Sequence, residues 1–92
     1  MTEDGLRGRV FLVTGSGRGL GASLARAAAA QSARVVVNCR SDVKSAEAVT
    51  AGVHKAGGEA VALRADVSSF PEARTLVEQA LSKWGRIDGL VN

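Results

Sequence analysis

Tyrosine is absent from this 92-residue chain, proline and cysteine each occur once, and the aromatic side chains are Phe11, Phe70 and Trp84 alone. Without tyrosine, no step that needs a phenolic acid or base can be carried by these residues. The single thiol, Cys39, can form neither an intrachain disulfide nor a thiolate metal cluster, so nothing calls for an oxidising compartment. The longest soft run, the four alanines at 27–30, is far short of a membrane span. Twelve basic residues face nine acidic ones, a net charge of +3 without a run of five like charges. That spread argues against a nucleic-acid or anionic-membrane tail. Residues 1–9 mix both signs and have no long apolar stretch, so they do not read as a signal peptide. The expectation is a cytoplasmic protein with no nucleic-acid and no membrane partner.

Hydrophobic residues make up 46% of the chain, too many for disorder and enough for a core. A chain of this length makes one small domain that buries only about 60% of its unfolded surface, so its stability alone is marginal. Short β-branched runs alternate with longer helical stretches. Residues 9–14, Arg-Val-Phe-Leu-Val-Thr, predict a buried strand. Gly19 to about Gln31 predicts a helix, residues 34–39 a second strand, and Ser41 or Asp42 the cap of a helix reaching about Ala56. Gly57 and Gly58 stop it. Residues 59–64 predict a third strand. Ser68 or Ser69 caps the next helix, with Pro71 in its first turn, Glu72 in capping-box position and Gly85 as its stop. Residues 87–91 open a fourth strand. Strands alternating with helices imply a parallel sheet with right-handed crossovers. No linker, repeat or domain boundary interrupts this order, and the chain stops inside a strand, so truncation is expected.

The most specific segment is Thr14-Gly15-Ser16-Gly17-Arg18-Gly19-Leu20-Gly21, between the first strand and the first helix. A pyrophosphate must come close to backbone N–H groups at a helix N-terminus, where the helix dipole is positive. Gly15 is expected to allow the turn out of the strand, Gly17 and Gly19 to leave room for phosphates, and Gly21 to bring the helix close to the sheet. A Walker A phosphate loop is disfavoured, since no Gly-Lys-Ser/Thr follows.

The octet resembles Thr-Gly-x-x-x-Gly-x-Gly, the signature spacing of short-chain dehydrogenases/reductases. Ala65-Asp66-Val67 resembles the family's Asp-Val after strand three, whose aspartate contacts adenine. Residues 85–92, Gly-Arg-Ile-Asp-Gly-Leu-Val-Asn, resemble its approach to Asn-Asn-Ala-Gly, with Asn92 as the first asparagine. The resemblance runs from about Gly8 to Asn92 and is nearest to 3-oxoacyl-carrier-protein reductases. It implies an α/β fold: the N-terminal part of a doubly wound Rossmann fold, residues 1–92 of a partial dinucleotide-binding domain, with sheet order 3-2-1-4. It also implies hydride transfer between a nicotinamide cofactor and a carbonyl or alcohol, and a homo-oligomer at full length, with the third helix at an interface. The family's Ser and Tyr-x-x-x-Lys have no counterpart in these residues. The chain by itself is therefore expected to be inactive.

The end of the second strand decides between cofactors. An acid there binds the ribose hydroxyl of NAD, whereas an arginine accommodates the 2′-phosphate of NADP. Here Cys39 stands in the acid's place and Arg40-Ser41 follows, with Arg18 in the glycine loop as a second guanidinium. NADP(H) is expected over NAD(H). Asp42 is the competing acid, unless it caps the helix, and Arg40 has the alternative of being a solvated surface residue. The cofactor-binding candidates are thus Thr14, Gly15, Ser16, Gly17, Arg18, Gly19, Leu20, Gly21, Cys39, Arg40, Ser41, Asp66, Val67 and Asn92. Cys39 reads as inert packing rather than a reactive thiol, His54 as a surface residue, and Trp84 as the packed end of its helix. Leu76, Val77, Ala80 and Leu81 read as that helix's buried stripe. Two other readings remain: a vestigial chain that binds a nucleotide without catalysis, and an S-adenosylmethionine-dependent methyltransferase, which wants an acid where Cys39-Arg40 stands.

Overall fold

The computed structural model describes residues 6–92. Residues 1–5, and with them most of the stretch weighed above as a signal peptide, lie outside the described residues. The elements run β1 (Val10–Val13), α1 (Gly19–Ala30), β2 (Arg34–Cys39), α2 (Val43–Lys55), β3 (Glu59–Arg64), α3 (Phe70–Trp84) and β4 (Gly89–Val91). All the strand pairs are parallel, in the order β3-β2-β1-β4, as the alternation predicted. The chain moves outward from β1 through β2 and β3, then returns to the other side of β1 for β4. Such a reversal opens a crevice at the carboxyl ends of the strands.

Each strand sends alternate side chains to opposite faces. Val13, Val35, Val37 and Ala60 pack with Ala22, Ala25 and Ala29 of α1 and Ala46, Val49 and Val53 of α2. Leu12 and Val36 pack on the other face with Leu76 and Ala80 of α3, and Trp84 closes that helix's end. β2 is covered on both faces, which is why it reads as an unbroken apolar run. The short alanine side chains of α1 let that helix lie close to the sheet.

Helix ends follow local chemistry. Asp42 caps α2, its carboxylate accepting from the N–H of Ser45. Ser69 caps α3, Pro71 sits in its first turn, and Gly85 ends it at φ 77°. The capping box closes only halfway. Glu72 donates its N–H to Ser69, but its carboxylate accepts from Arg64 and from the N–H of Asp66 instead. α1 ends one residue before the expected Gln31 because Ser32 takes the left-handed conformation, φ 72°, usually left to glycine. That conformation costs a residue with a Cβ about 1 kcal/mol, and no glycine announced it.

The stripe expected on α3 is corrected. Leu76 and Ala80 are buried, whereas Val77 and Leu81 are exposed. The row four residues apart faces the sheet, and one residue further round the helix turns about 100° away from it. His54, read as a surface residue, is exposed but tied down: its Nε2 lies 2.8 Å from the Ala60 carbonyl and must donate to it.

β4 starts at Gly89 rather than Ile87 because Asp88 replaces a strand contact with its side chain. Its carboxylate accepts from the N–H of Val10 at 2.8 Å, and its own N–H donates to the Val10 carbonyl. The Arg86 hydrogen bond, then the Val10 N–H, hold the Asp88 carboxyl below the usual aspartate range. A lowered folded-state pKa gives stability that is complete above the unfolded value of about 3.9 and is lost as pH falls through the folded value. Urea midpoints measured from pH 7 down to pH 3 are therefore expected to fall less steeply for Asp88→Asn, which should start lower, than for the parent chain. Parallel curves would show that Asp88 does not carry this linkage.

Candidate nucleotide-binding site

Residues 14–18 leave β1 at its carboxyl end and enter α1. The loop is built on a buried amide. Asn38, 2% exposed, accepts the N–H of Gly15 through Oδ1 at 3.1 Å. Its Nδ2 donates to the carbonyls of Cys39, Leu63 and Ala65 at 3.2–3.3 Å. Ser16 is fully buried beside it. Its hydroxyl donates to the Val13 carbonyl and accepts the N–H of Asn38, and its own N–H donates to the Asn38 carbonyl. The N–H and hydroxyl of Ser16 are thus both engaged inside the protein, and the structure makes Ser16 part of the floor beneath the loop.

Three glycines of the loop have demands that only glycine meets, and the first, Gly15, turns the chain out of β1 at φ 61°. Gly19 has φ 63°, and a Cβ there would meet nothing within 4 Å, so it borders open space. Gly21 is closed in: a Cβ would lie 2.6 Å from the Gly15 carbonyl oxygen and 2.9 Å from the Ser16 Cα. The close approach expected at Gly21 is therefore to the loop backbone rather than to the sheet. Gly17 faces inward too, since a Cβ on it would touch Ala46 and Cys39 at ordinary contact distance. Of the two glycines expected to leave phosphate room, Gly19 alone borders open space.

Arg18 stands at the N-cap of α1 with extended backbone and puts no side-chain hydrogen bond on the first turn, which holds no acid. The first N–H groups of an α-helix have no partner within it. Here they belong to an exposed stretch, Gly19 and Leu20. This is the electropositive, donor-rich end that an anion requires.

Two further loops meet the same edge of the sheet. Cys39 is 5% exposed, and burial raises its thiol pKa, so it is a wall of the core, as expected of inert packing. Arg40 and Ser41 follow it, exposed. Asp42 is committed to its cap: its oxygens accept from the N–H and hydroxyl of Ser45, which hold its carboxyl below the usual range, with a smaller contribution from Arg18. After β3, Asp66 accepts from the N–H and hydroxyl of Ser68, at 3.0 and 2.6 Å. These bonds, then Arg40 and Arg64, lower its carboxyl. The Nε of Arg40 lies 3.6 Å from Asp66 Oδ2. Val67 is exposed beside them. On the other side of β1, Thr14 donates its N–H to Val91 and its hydroxyl to Asn92 Oδ1 at 3.0 Å. The predicted residues from four separate segments thus share one end of the sheet.

The model of the family described as short chain dehydrogenase matches residues 9–92. The chain belongs to this family. An uncharacterised oxidoreductase of Methylorubrum extorquens is 48% identical over 87 residues, covering 95% of this chain and 35% of its own length. A short chain dehydrogenase of Burkholderia cenocepacia, solved in complex with NADP, superposes with a TM-score of 0.90 at 37% identity, covering 95% of this chain and 36% of that one. A metagenomic short-chain oxidoreductase, also in complex with NADP, gives 0.87 at 39% identity over 92% of this chain and 38% of that one. The chain spans about a third of the length of the relatives it matches.

In this chain the residues at the site that a motif reading passes over are Asn38 and Arg64, and Glu72 was read only as part of a capping box. Asn38 left one usable signal: a polar side chain inside the apolar run of β2 must be hydrogen-bonded to stay there. Arg64 left none, and the capping-box spacing of Glu72 pointed to Ser69 rather than to Arg64, because the pair forms only when the fold joins the end of β3 to the first turn of α3.

Proposed function

We propose that this chain holds the adenosine and pyrophosphate of NADP(H) in an oxidoreductase acting on a carbonyl or alcohol, and that residues 1–92 are the first part of a larger dinucleotide-binding domain. The observation that carries the cofactor reading is the exposed Arg40, placed after a buried, non-acidic Cys39, on the same edge as the uncapped start of α1. Two similar chains solved with NADP support it. The first turn of α1 and the open side of Gly19 fit the pyrophosphate, Asp66 and Val67 the adenine, and Arg40 with Arg18 and Ser41 the 2′-phosphate. Gly15 makes the turn out of β1, Gly17 and Gly21 shape the loop from beneath, Leu20 exposes its side chain beside it, and Thr14 joins the loop to Asn92. When bound, the cofactor supplies or accepts a hydride. The residues here grip and orient it, and the absence of tyrosine leaves the family's proton donor outside them. We propose that the 92 residues alone turn over no ketone, that the complete protein is a homo-oligomer, and that its substrate is a ketone, with a 3-oxoacyl thioester favoured by the sequence resemblance.

Calorimetric titration of the full chain with adenosine 2′,5′-bisphosphate and with adenosine 5′-monophosphate isolates the 2′-phosphate. Arg40→Ala is expected to weaken the bisphosphate by about 10- to 100-fold, equivalent to one charge-assisted contact of roughly 1.5–3 kcal/mol. The monophosphate should change by less than about twofold, since it lacks the group Arg40 grips. An unchanged ratio between the two ligands would refute the NADP(H) assignment.

A further inference from the structure

Four charged residues between the ends of β2 and β3 and the start of α3 form a closed ring. One carboxylate oxygen of Glu72 accepts from Arg64 Nη2 at 2.8 Å and from the N–H of Asp66 at 2.9 Å. Arg64 Nη1 donates to the backbone carbonyl of Arg40 at 2.9 Å. The Arg40 side chain, 79% exposed, returns to Asp66 through Nε. The pairing of β2 with β3 ends at Cys39 opposite Arg64, so Arg40 is the first residue beyond the ladder. Its carbonyl is held across the gap by a side chain rather than by a strand.

We infer that Arg64, anchored by Glu72, is a positioning residue for 2′-phosphate recognition: it holds the Arg40 backbone so that the exposed Nη groups of Arg40 meet the phosphate. This rests on the NADP(H) reading above and extends it to residues outside the family motifs. Arg64 and Glu72 are each roughly half exposed. As a plain surface ion pair they would add little to stability. Their geometry does something else, tying two nucleotide-facing loops to one oxygen. The Nε of Arg40 points to Asp66, while the two Nη groups keep donors for a planar, bidentate contact with a phosphate. Loss of Arg64 frees the carbonyl of Arg40 and lets the bend at residues 40–41 turn, which spreads the guanidinium over many directions.

The test uses the same two adenosine ligands on the full chain. Arg64→Ala is expected to weaken the bisphosphate about tenfold, the size of one lost oriented contact. It should leave the monophosphate within about twofold. Arg64→Lys keeps one donor and should recover part of the loss. Arg74→Ala, which removes an exposed arginine of α3 that pairs with Glu78, should change neither ligand. In an Arg40→Ala background, Arg64→Ala should cost nothing more, because it acts through Arg40. If its effect persists there, Arg64 touches the phosphate itself and the positioning role is overturned. If Arg40→Ala lowers the ratio and Arg64→Ala does not, this inference fails and the NADP(H) reading stands. If Arg40→Ala leaves the ratio unchanged, the NADP(H) reading itself has failed. Should Arg64→Ala not fold, Arg64→Lys and Arg64→Gln carry the same comparison.

Discussion

Asn38→Ala is expected to destabilise the chain by roughly 2–4 kcal/mol and to loosen the glycine loop. The side chain is 2% exposed and holds one N–H and three carbonyls. Truncation removes the acceptor of the Gly15 N–H and the donor to the Cys39, Leu63 and Ala65 carbonyls. Each buried polar group left unmade costs about 1–3 kcal/mol, partly relieved by water entering the space. Asn38→Asp separates this from a packing effect. It keeps the shape and the acceptor but turns the donor towards three carbonyls into an oxygen. It should therefore be at least as damaging at neutral pH, and less so in acid, where protonation restores one donor. Urea denaturation with hydrogen exchange at Gly15 and Ser16 measures both effects. A loss below about 1 kcal/mol for both variants, the scale of one ordinary hydrogen bond, would show that the amide is not the hub of the loop.

Gly21→Ala is expected to cost about 2–3 kcal/mol and to weaken nucleotide binding at least about tenfold, although alanine is the better helix former by roughly 1 kcal/mol. The sign is set by the neighbours. The new methyl would press on the Gly15 carbonyl oxygen and the Ser16 Cα, backbone atoms that cannot rotate aside. The loop must move as a unit, and with it the N–H groups at the start of α1. Gly52→Ala in α2 is the control. A Cβ there meets nothing within 4 Å, and the ordinary helix preference should stabilise the chain by about 0.5–1 kcal/mol. Thermal melts of the two variants should move in opposite directions. A Gly21→Ala chain as stable as the parent would show that the close approach is not rigid.

Much of the architecture was legible because its causes are local. The runs at residues 34–39 and 59–64 became β2 and β3 with the expected bounds. Asp42, Ser69 and Gly85 ended their helices as capping chemistry requires. The glycine loop was legible from its spacing and its position between a strand and a helix. Misread details were those in which a distant residue supplied the partner. β4 begins late because Asp88 reaches Val10. Glu72 leaves its capping box for Arg64 and Asp66. Val77 and Leu81 look like core in one dimension and lie on the open side of α3.

By itself, then, the sequence determined the order of elements, the parallel sheet, the phosphate-suited loop and the absence of a phenolic proton donor. These follow from periodicity, capping and composition, which are properties of neighbours along the chain. Tertiary structure alone decided that Ser16 is buried beneath the loop, that Gly21 lies against the loop backbone, and that Asn38 and Arg64 tie together segments far apart in the sequence. Apart from the close approach at Gly21, those placements depend on hydrogen bonds spanning more than twenty residues, such as Gly15 to Asn38 and Arg64 to Arg40. Only the parallel stacking of β1, β2 and β3, which brings their carboxyl ends together, places such partners within reach.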